Sequence, residues 1–177
     1  PSAQRAETVM AQWGIDALTR QRACYAIANH ITPSPLHPLE NLCLYDADLI
    51  DANFGHIAFA RYITIRAHRG TSVEETILSA EEWLGRVDER RQGVITRAGQ
   101  ALAARRYAGM WKLYRELARD LEAGDGPALR VARYLNGDAA RPSLARQMQE
   151  IAHGNPLIPN DGAFLAGFLQ ALEREAE

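Results

Sequence analysis

Apolar residues in this chain recur at helical spacing, whereas the strict alternation of a half-buried strand is absent over any run of several residues. The β-branched and aromatic residues are scattered rather than grouped between turn residues. The chain has 177 residues, which is enough to bury a sizeable core in one compact domain. The sequence therefore predicts an all-α fold, a multi-helix bundle in which helices pack on helices around one core.

Capping and helix-breaking residues indicate where the helices begin and end. Asp16 and Thr96 can accept hydrogen bonds from the first free amides of a helix, so we expect them to cap the second helix and the longest helix. The Thr-Pro-Ser-Pro run at 32–35 interrupts the helical pattern, because proline cannot continue a helix. The spacing also predicts helices over about 38–52 and 54–68, and a single helix that carries the apolar residues between 73 and 87.

The best candidate for an internal boundary is the Ala-Gly-Asp-Gly-Pro segment at 123–127, since glycine and proline punctuate helices. Residues 1–123 form the predicted helical core. Residues 124–177 are predicted to be a C-terminal helical extension packed on that core. The extension carries helical patterns around 129–135, 144–153 and 161–176.

Composition and charge exclude several classes of function. The formal net charge of -2 disfavours strong nucleic-acid binding, because non-specific affinity comes from neutralising many phosphates. No apolar run approaches the roughly 20 residues that a membrane span needs, so no membrane association is expected. The first residues lack the order of a secretory signal, and two cysteines are too few for a disulfide framework. A cytoplasmic location is therefore expected.

The basic residues are almost all arginine. Lys112 is the single lysine among the 20 basic residues. An arginine fork binds phosphate in a bidentate way that lysine cannot match, whereas codon bias in a GC-rich genome would give the same composition without any function. Both explanations stay open at this point.

Asp46 is the first candidate site residue, because it lies inside the apolar stripe of the helix predicted over 38–52. A buried carboxylate is unfavourable unless it is paired or coordinates a cation. Asp48 lies on the opposite side of this helix and is expected to be solvated, and Asp51 lies on a flank. The sequence predicts an arginine, a histidine or a metal ion as the partner of Asp46. The apolar stripe consists of Leu39, Leu42, Cys43, and Leu49 or Ile50.

His30 continues the apolar stripe of the preceding helix at its C-terminal end. It is either a hydrogen-bonded core histidine or a ligand. The turn between the two helices would let His30 and Asp46 meet at one point. One imidazole and one carboxylate form a common but incomplete ligand set for Mn, Fe, Mg or Zn.

Two residues of the following helix are further candidates. Arg61 lies ten residues after Asp51, and it could pair with one of the acids or approach a substrate phosphate. His56 could be a pocket residue or a plain helix-face histidine.

Several of these pieces together resemble the second half of the bacterial HD-superfamily phosphohydrolases. In that family an Ala-Ile…His helix precedes an acidic Asp-Ala-Asp…Asp segment that is followed by a glycine and an arginine. The stretches 96–103 and 106–117 are similar to the last core helix of the family, and the resemblance spans about 2 to 121. The matching pieces of this chain are Ala26 to His30, Glu40, Asp46 to Asp51, and Gly55 to Arg61.

The resemblance implies an HD-type helical core that holds one or two divalent metals, from among Mn, Fe, Mg and Zn. A metal-bound water would hydrolyse a phosphorylated small molecule, such as a nucleotide. Asp46 matches the later metal-binding aspartate, and His30 matches the histidine that contacts the phosphate or a second metal, so both would be catalytic. Arg61 and Asp51 match supporting positions around the substrate.

The chain departs from the family at its defining ligands. The family uses an upstream His and a His-Asp doublet, and no adjacent His-Asp pair exists in this sequence. The metal ligand set would therefore be incomplete in this chain alone. The alternative function is a non-catalytic helical HD-like module that binds a partner or a small anion. The helices expected after Gly126 could cover the groove or form the face of a homodimer.

Overall fold

The structure is a computed structural model that describes residues 2–32, 34, 36–137 and 163–176. In these ranges every regular element is an α-helix, and the prediction of an all-α, multi-helix bundle is confirmed. The helix predicted around 144–153 lies outside the described residues. The helices are α1 (Ser2–Gln12), α2 (Ala17–Asn29), α3 (Leu39–Asn53), α4 (His56–His68), α5 (Val73–Leu78), α6 (Ala80–Arg91), α7 (Arg97–Ala123), α8 (Pro127–Asn136) and α9 (Ala163–Ala176).

Local capping explains several of the helix ends. Asp16 accepts a hydrogen bond from the amide of Thr19 at 3.0 Å and caps α2, as predicted. Thr96 caps α7 in the same way, through the amide of Gly99 at 3.0 Å. Gly124 ends α7 in the left-handed conformation that glycine adopts without steric cost.

The prediction of a single helix between 73 and 87 is wrong, since the chain breaks at Ser79 between α5 and α6. The Ser79 hydroxyl lies 3.1 Å from the carbonyl oxygen of Thr76 and 2.9 Å from the hydroxyl of Tyr62. Such bonds between a serine side chain and nearby groups compete with the helical hydrogen-bond pattern. Ile77 and Leu84 are nevertheless both buried, so the two short helices face the same core.

The core lies between α4, α7 and α8, and α5, α6 and α9 pack around these helices. Leu129 of α8 and Phe168 of α9 belong to the same buried cluster as Phe59 of α4 and Leu117 of α7. The helices on both sides of the 123–127 segment therefore share one core. No helix in the described ranges combines the length and the apolarity needed to cross a membrane.

Helices α1 and α2 form an N-terminal hairpin that contributes little to this core. No residue of α1 is buried, and Ala26 is the one buried residue of α2. The hairpin packs on the rest of the chain mainly through α3. Large apolar side chains are exposed on the hairpin, on the loop that follows it and on the first half of α3, namely Trp13, Leu18, Tyr25, Ile31, Leu36, Leu39 and Leu44.

Candidate functional site

Asp46 is buried on α3, as its place in the helix pattern predicts, with only 2% of its surface exposed. Ile50, one turn further on, is also buried. The predicted apolar stripe is wrong at Leu39 and Cys43, since both side chains are exposed. The buried face of α3 is rotated toward Asn41 instead. Helix α3 therefore presents a partly polar face to the bundle.

The carboxylate of Asp46 receives three hydrogen bonds from the start of α7. Its Oδ1 atom accepts from the amide of Ile95 at 2.8 Å, and its Oδ2 atom accepts from the amide of Thr96 at 2.7 Å and from the hydroxyl of Thr96 at 2.6 Å. A Cβ atom at Gly99 would lie less than 3.0 Å from Oδ2, so glycine permits this close approach. The positive end of the helix dipole stabilises the negative charge in this position.

The described partners of Asp46 are groups that the sequence pattern does not name. The sequence predicts an arginine, a histidine or a metal ion, whereas the described partners are three neutral donors. Thr96 is the N-cap of α7 and Ile95 precedes it, so the helix offers these two amides no intrahelical acceptor and they are available to a remote carboxylate. Asp46 thereby holds α3 and α7 together, across 50 residues of sequence.

His30 lies at the C-terminal end of α2 and is half-buried. Its Nδ1 atom is 2.8 Å from the carbonyl oxygen of Ile27, within its own helix. No hydrogen bond or ion pair of the described residues joins His30 to Asp46. Helices α2 and α3 are instead joined by Asn41, whose amide nitrogen donates to the carbonyl oxygen of Ala26 at 3.1 Å.

Arg61 and Asp51 form a weak, exposed ion pair. The Nη2 atom of Arg61 lies 3.7 Å from Oδ2 of Asp51, and the two side chains are 38% and 68% exposed. Arg61 therefore pairs with an acidic residue, which is the first of the two roles that the sequence predicts for it. Asp48 is exposed, as predicted.

The described residues do not by themselves fit a divalent metal ion. Within the described ranges, no group of three or more His, Cys, Asp or Glu side chains is arranged to hold one. Both oxygens of Asp46 already accept hydrogen bonds from α7, and the ring of His30 turns toward its own helix.

A second buried carboxylate, Glu175 of α9, lies at the N-terminus of α4. Its Oε1 atom accepts a hydrogen bond from the amide of His56 at 2.8 Å, and its Oε2 atom accepts from the amide of Ile57 at 3.1 Å. The Nδ1 atom of the His56 ring lies 3.0 Å from Oε1, and the side chain of Glu175 is only 8% exposed. Nothing in the acidic C-terminal sequence predicts this contact.

The environment of Glu175 favours its ionised form. Burial by itself would raise the pKa of the Glu175 carboxyl. The hydrogen bonds from the His56 ring and from the amides of His56 and Ile57 outweigh burial, so this pKa lies below its ordinary value of 4.5. Glu175 therefore acts as a remote, charged cap of α4.

A third buried carboxylate, Asp120 of α7, caps α8 in the same manner. Its Oδ2 atom accepts hydrogen bonds from the amides of Ala128 at 2.9 Å and Leu129 at 3.4 Å, while Arg119 donates to Oδ1 at 3.0 Å. A Cβ atom at Gly126 would lie less than 3.0 Å from this carboxylate. Buried carboxylates thus fix the starts of α4, α7 and α8.

Comparisons with protein-family models, with curated proteins and with solved structures found no match for this chain.

Proposed function

We propose that the chain is a helical part of an HD-type, metal-dependent phosphohydrolase that acts on a phosphorylated small molecule such as a nucleotide. The observation that carries this proposal is the burial of Asp46 with no cationic side chain among its described partners. A buried carboxylate is unfavourable unless it is paired or coordinates a cation, and the described donors to Asp46 carry no formal charge. In the resemblance, Asp46 is the residue that binds metal.

The placement of the resembled pieces also supports the proposal. His30 lies at the end of α2, Asp46 lies in the middle of α3, and Arg61 lies on α4 beside Asp51. They follow the order of the family on consecutive helices of an all-α bundle.

The proposal requires metal ligands beyond the described residues, because those residues do not complete a site. In the proposed enzyme these ligands come from another part of the polypeptide or from a second chain. A bound divalent metal would supply an activated water and would stabilise charge on the phosphoryl oxygens. His30 and Arg61 would contact or balance the charge of the phosphate.

The proposal is tested with the intact gene product and a panel of nucleoside mono-, di- and triphosphates. Phosphate or pyrophosphate release is measured with Mn, Fe, Mg or Zn and with a chelator. We expect release that needs a divalent metal, that disappears in Asp46→Asn, and that persists in Asp48→Asn, an exposed residue on the same helix. Absence of metal-dependent release from every substrate would overturn the proposal.

A second variant covers the case in which Asp46→Asn does not fold. The side chain of His30 is half-buried, and its one described polar contact is the local bond to Ile27. We expect His30→Gln to lower turnover while the melting temperature stays close to that of the wild type. Unchanged kinetics in His30→Gln would remove this histidine from the proposed site.

The hydrogen bonds that Asp46 accepts from the start of α7 favour a second candidate function. In this alternative the chain is a non-catalytic helical module that binds a partner or a small anion. In this case Asp46 serves only to hold α3 against α7. Neither the divalent metals nor a chelator should then change the melting temperature of the intact gene product. A metal-dependent rise in melting temperature that is lost in a folded Asp46→Asn variant would exclude this candidate.

A further inference from the structure

A cavity of about 440 Å³ lies between the N-terminus of α4, the middle of α7 and helix α9. It is separate from the surroundings of Asp46. Arg106, on its wall, follows Gly99 by seven residues on α7, which corresponds to about 10 Å along a helix axis. The cavity is lined by His56, Arg105, Arg106, Gly109, Ala171, Arg174 and Glu175.

The arginines of this wall have no carboxylate partner among the described residues. Arg106 donates from Nη2 to the main-chain carbonyl oxygen of Glu175 at 2.8 Å. Arg174 donates from Nε to the carbonyl oxygen of Gln170 at 3.0 Å. Both acceptors are neutral, and the described part of the chain gives Arg105 no hydrogen bond or ion pair.

The carboxylate of Glu175 does not neutralise these arginines, because it is directed at α4. It accepts from the amides of His56 and Ile57 and from the His56 ring. The wall therefore has three guanidinium groups and one carboxylate that is already engaged. Among the described residues of the wall, positive charge therefore exceeds negative charge.

The ring of His56 adds a further polar group to the wall. Its Nδ1 atom is held by Glu175, and its other ring nitrogen has no hydrogen bond among the described residues. Gly109 lets the ring approach α7, since a Cβ atom at this position would lie 3.1 Å from Cε1 of His56. The ring also packs edge-on against Phe168, with centroids 5.9 Å apart. The histidine is thus held in place from three sides.

We propose that this cavity binds the phosphoryl group of a small phosphorylated molecule through Arg105, Arg106 and Arg174. Guanidinium forks match the geometry of phosphate oxygens, and three guanidinium groups against one carboxylate among the described wall residues favour a multiply charged anion. The volume lies within the roughly 300–1,000 Å³ that is typical of small-molecule sites. The net charge of -2 favours a small ligand over a nucleic acid, which needs many cationic contacts.

Isothermal titration calorimetry with inorganic pyrophosphate, in the presence of a chelator, tests this site. The variant is Arg105→Ala, and the matched control is Arg115→Ala, an exposed arginine ten residues further along α7. We expect Arg105→Ala to raise Kd about 10- to 150-fold, which is the effect of losing one hydrogen bond to a charged group. Arg115→Ala should bind like the wild type. The Kd of Arg105→Lys should lie between that of the wild type and that of Arg105→Ala, because lysine keeps the positive charge but lacks the guanidinium fork.

Several results would overturn the proposal. One is the absence of pyrophosphate binding, and another is an equal loss of pyrophosphate affinity in Arg105→Ala and Arg115→Ala. The third is tighter binding of a single-stranded oligonucleotide than of pyrophosphate. Equal loss would indicate diffuse surface charge, and the oligonucleotide result would indicate a nucleic-acid face. The measurement uses neither metal nor turnover, so its failure is distinguishable from failure of the phosphohydrolase proposal.

Discussion

The carboxylate of Glu175 fills the space that a side chain at position 55 would occupy. A Cβ atom on Gly55 would lie less than 3.0 Å from three atoms of that carboxylate group. Gly55 also has a φ of 108°, in a region that L-residues with a side chain rarely adopt. The last described helix is therefore fixed to the start of α4 at a position where only glycine fits.

The first prediction concerns this glycine. We expect Gly55→Ala to lower the free energy of unfolding by about 1–3 kcal/mol through backbone strain, with a further loss from displacement of Glu175. Urea denaturation followed by circular dichroism measures this change. The matched control is Gly70→Ala, since Gly70 has a φ of 76° but a Cβ atom there would meet no other atom within 4 Å. Equal destabilisation by both variants would show that the contact with Glu175 contributes nothing to the loss of stability in Gly55→Ala.

The second prediction is a pH dependence that originates in Glu175. Its pKa is below 4.5 in the folded chain, so the unfolded state binds more protons as the pH falls through this region. Its stabilising contribution is full above the unfolded pKa and is lost as the pH falls through the folded pKa. We expect Glu175→Gln to be about 1–3 kcal/mol less stable than the wild type at pH 7, with a difference that shrinks below pH 4.5.

The comparison with Glu175→Gln isolates this residue, because other carboxyls with lowered pKa values titrate equally in both proteins. Asp16 and Asp125 are examples. Denaturation curves at a series of pH values give the difference directly. A stability difference that stays constant from pH 7 to the acid limit would rule out the ionised carboxylate as its source.

The third prediction separates Asp46 from its exposed neighbour Asp48. Replacing the Asp46 carboxylate by a carboxamide turns a donor group toward one of the two amides, that of Ile95 or that of Thr96, so we expect Asp46→Asn to cost about 1.5–3 kcal/mol. Asp48→Asn should change stability by no more than about 0.5 kcal/mol, because its side chain is exposed. Chemical denaturation without added metal is the measurement. Equal stability of the two variants would contradict the capping role of Asp46.

Local chemistry explains which parts of the fold could be predicted from the sequence. The caps by Asp16 and Thr96 act within three residues, so the residues themselves identify them. The burial of Asp46 follows from its position among apolar residues of α3. Its partners lie about 50 residues away, and the pattern of α3 holds no information about them.

One weak signal in the sequence indicates the helix caps that distant carboxylates provide. Helices α4 and α8 begin after Gly55 and Gly126, which have no side chain that could accept from the free amides. A helix whose start is buried without a local acceptor needs one from elsewhere. Glu175 and Asp120 fill this need, but the sequence does not say which of the many acidic residues do so. The position of His56 on the wall of the arginine-lined cavity depends on the same long-range contact with Glu175.

The fourth prediction concerns the N-terminal hairpin, which the structure attaches to the bundle through few buried groups. Regions with few buried apolar contacts open locally at a lower free energy than the core. We expect the amides of α1 and α2 to exchange with deuterium faster than those around Met110 and Leu117 of α7, which are buried. Hydrogen exchange read by mass spectrometry distinguishes the two regions.

The attachment point of the hairpin can be tested separately. Asn41 is 1% exposed, and its bond to the carbonyl oxygen of Ala26 is the described buried side-chain bond between α3 and α2. We expect Asn41→Ala to accelerate exchange throughout α2 by a factor of roughly 5 to 10, because a buried hydrogen bond contributes about 1 kcal/mol. Exchange around Leu117 should stay unchanged, since the hairpin contributes little to the core. A uniform acceleration across both regions would mean that the hairpin and the bundle unfold as one cooperative unit. The hairpin, with its exposed apolar residues around Trp13, would then be coupled to the core more tightly than its few buried residues indicate.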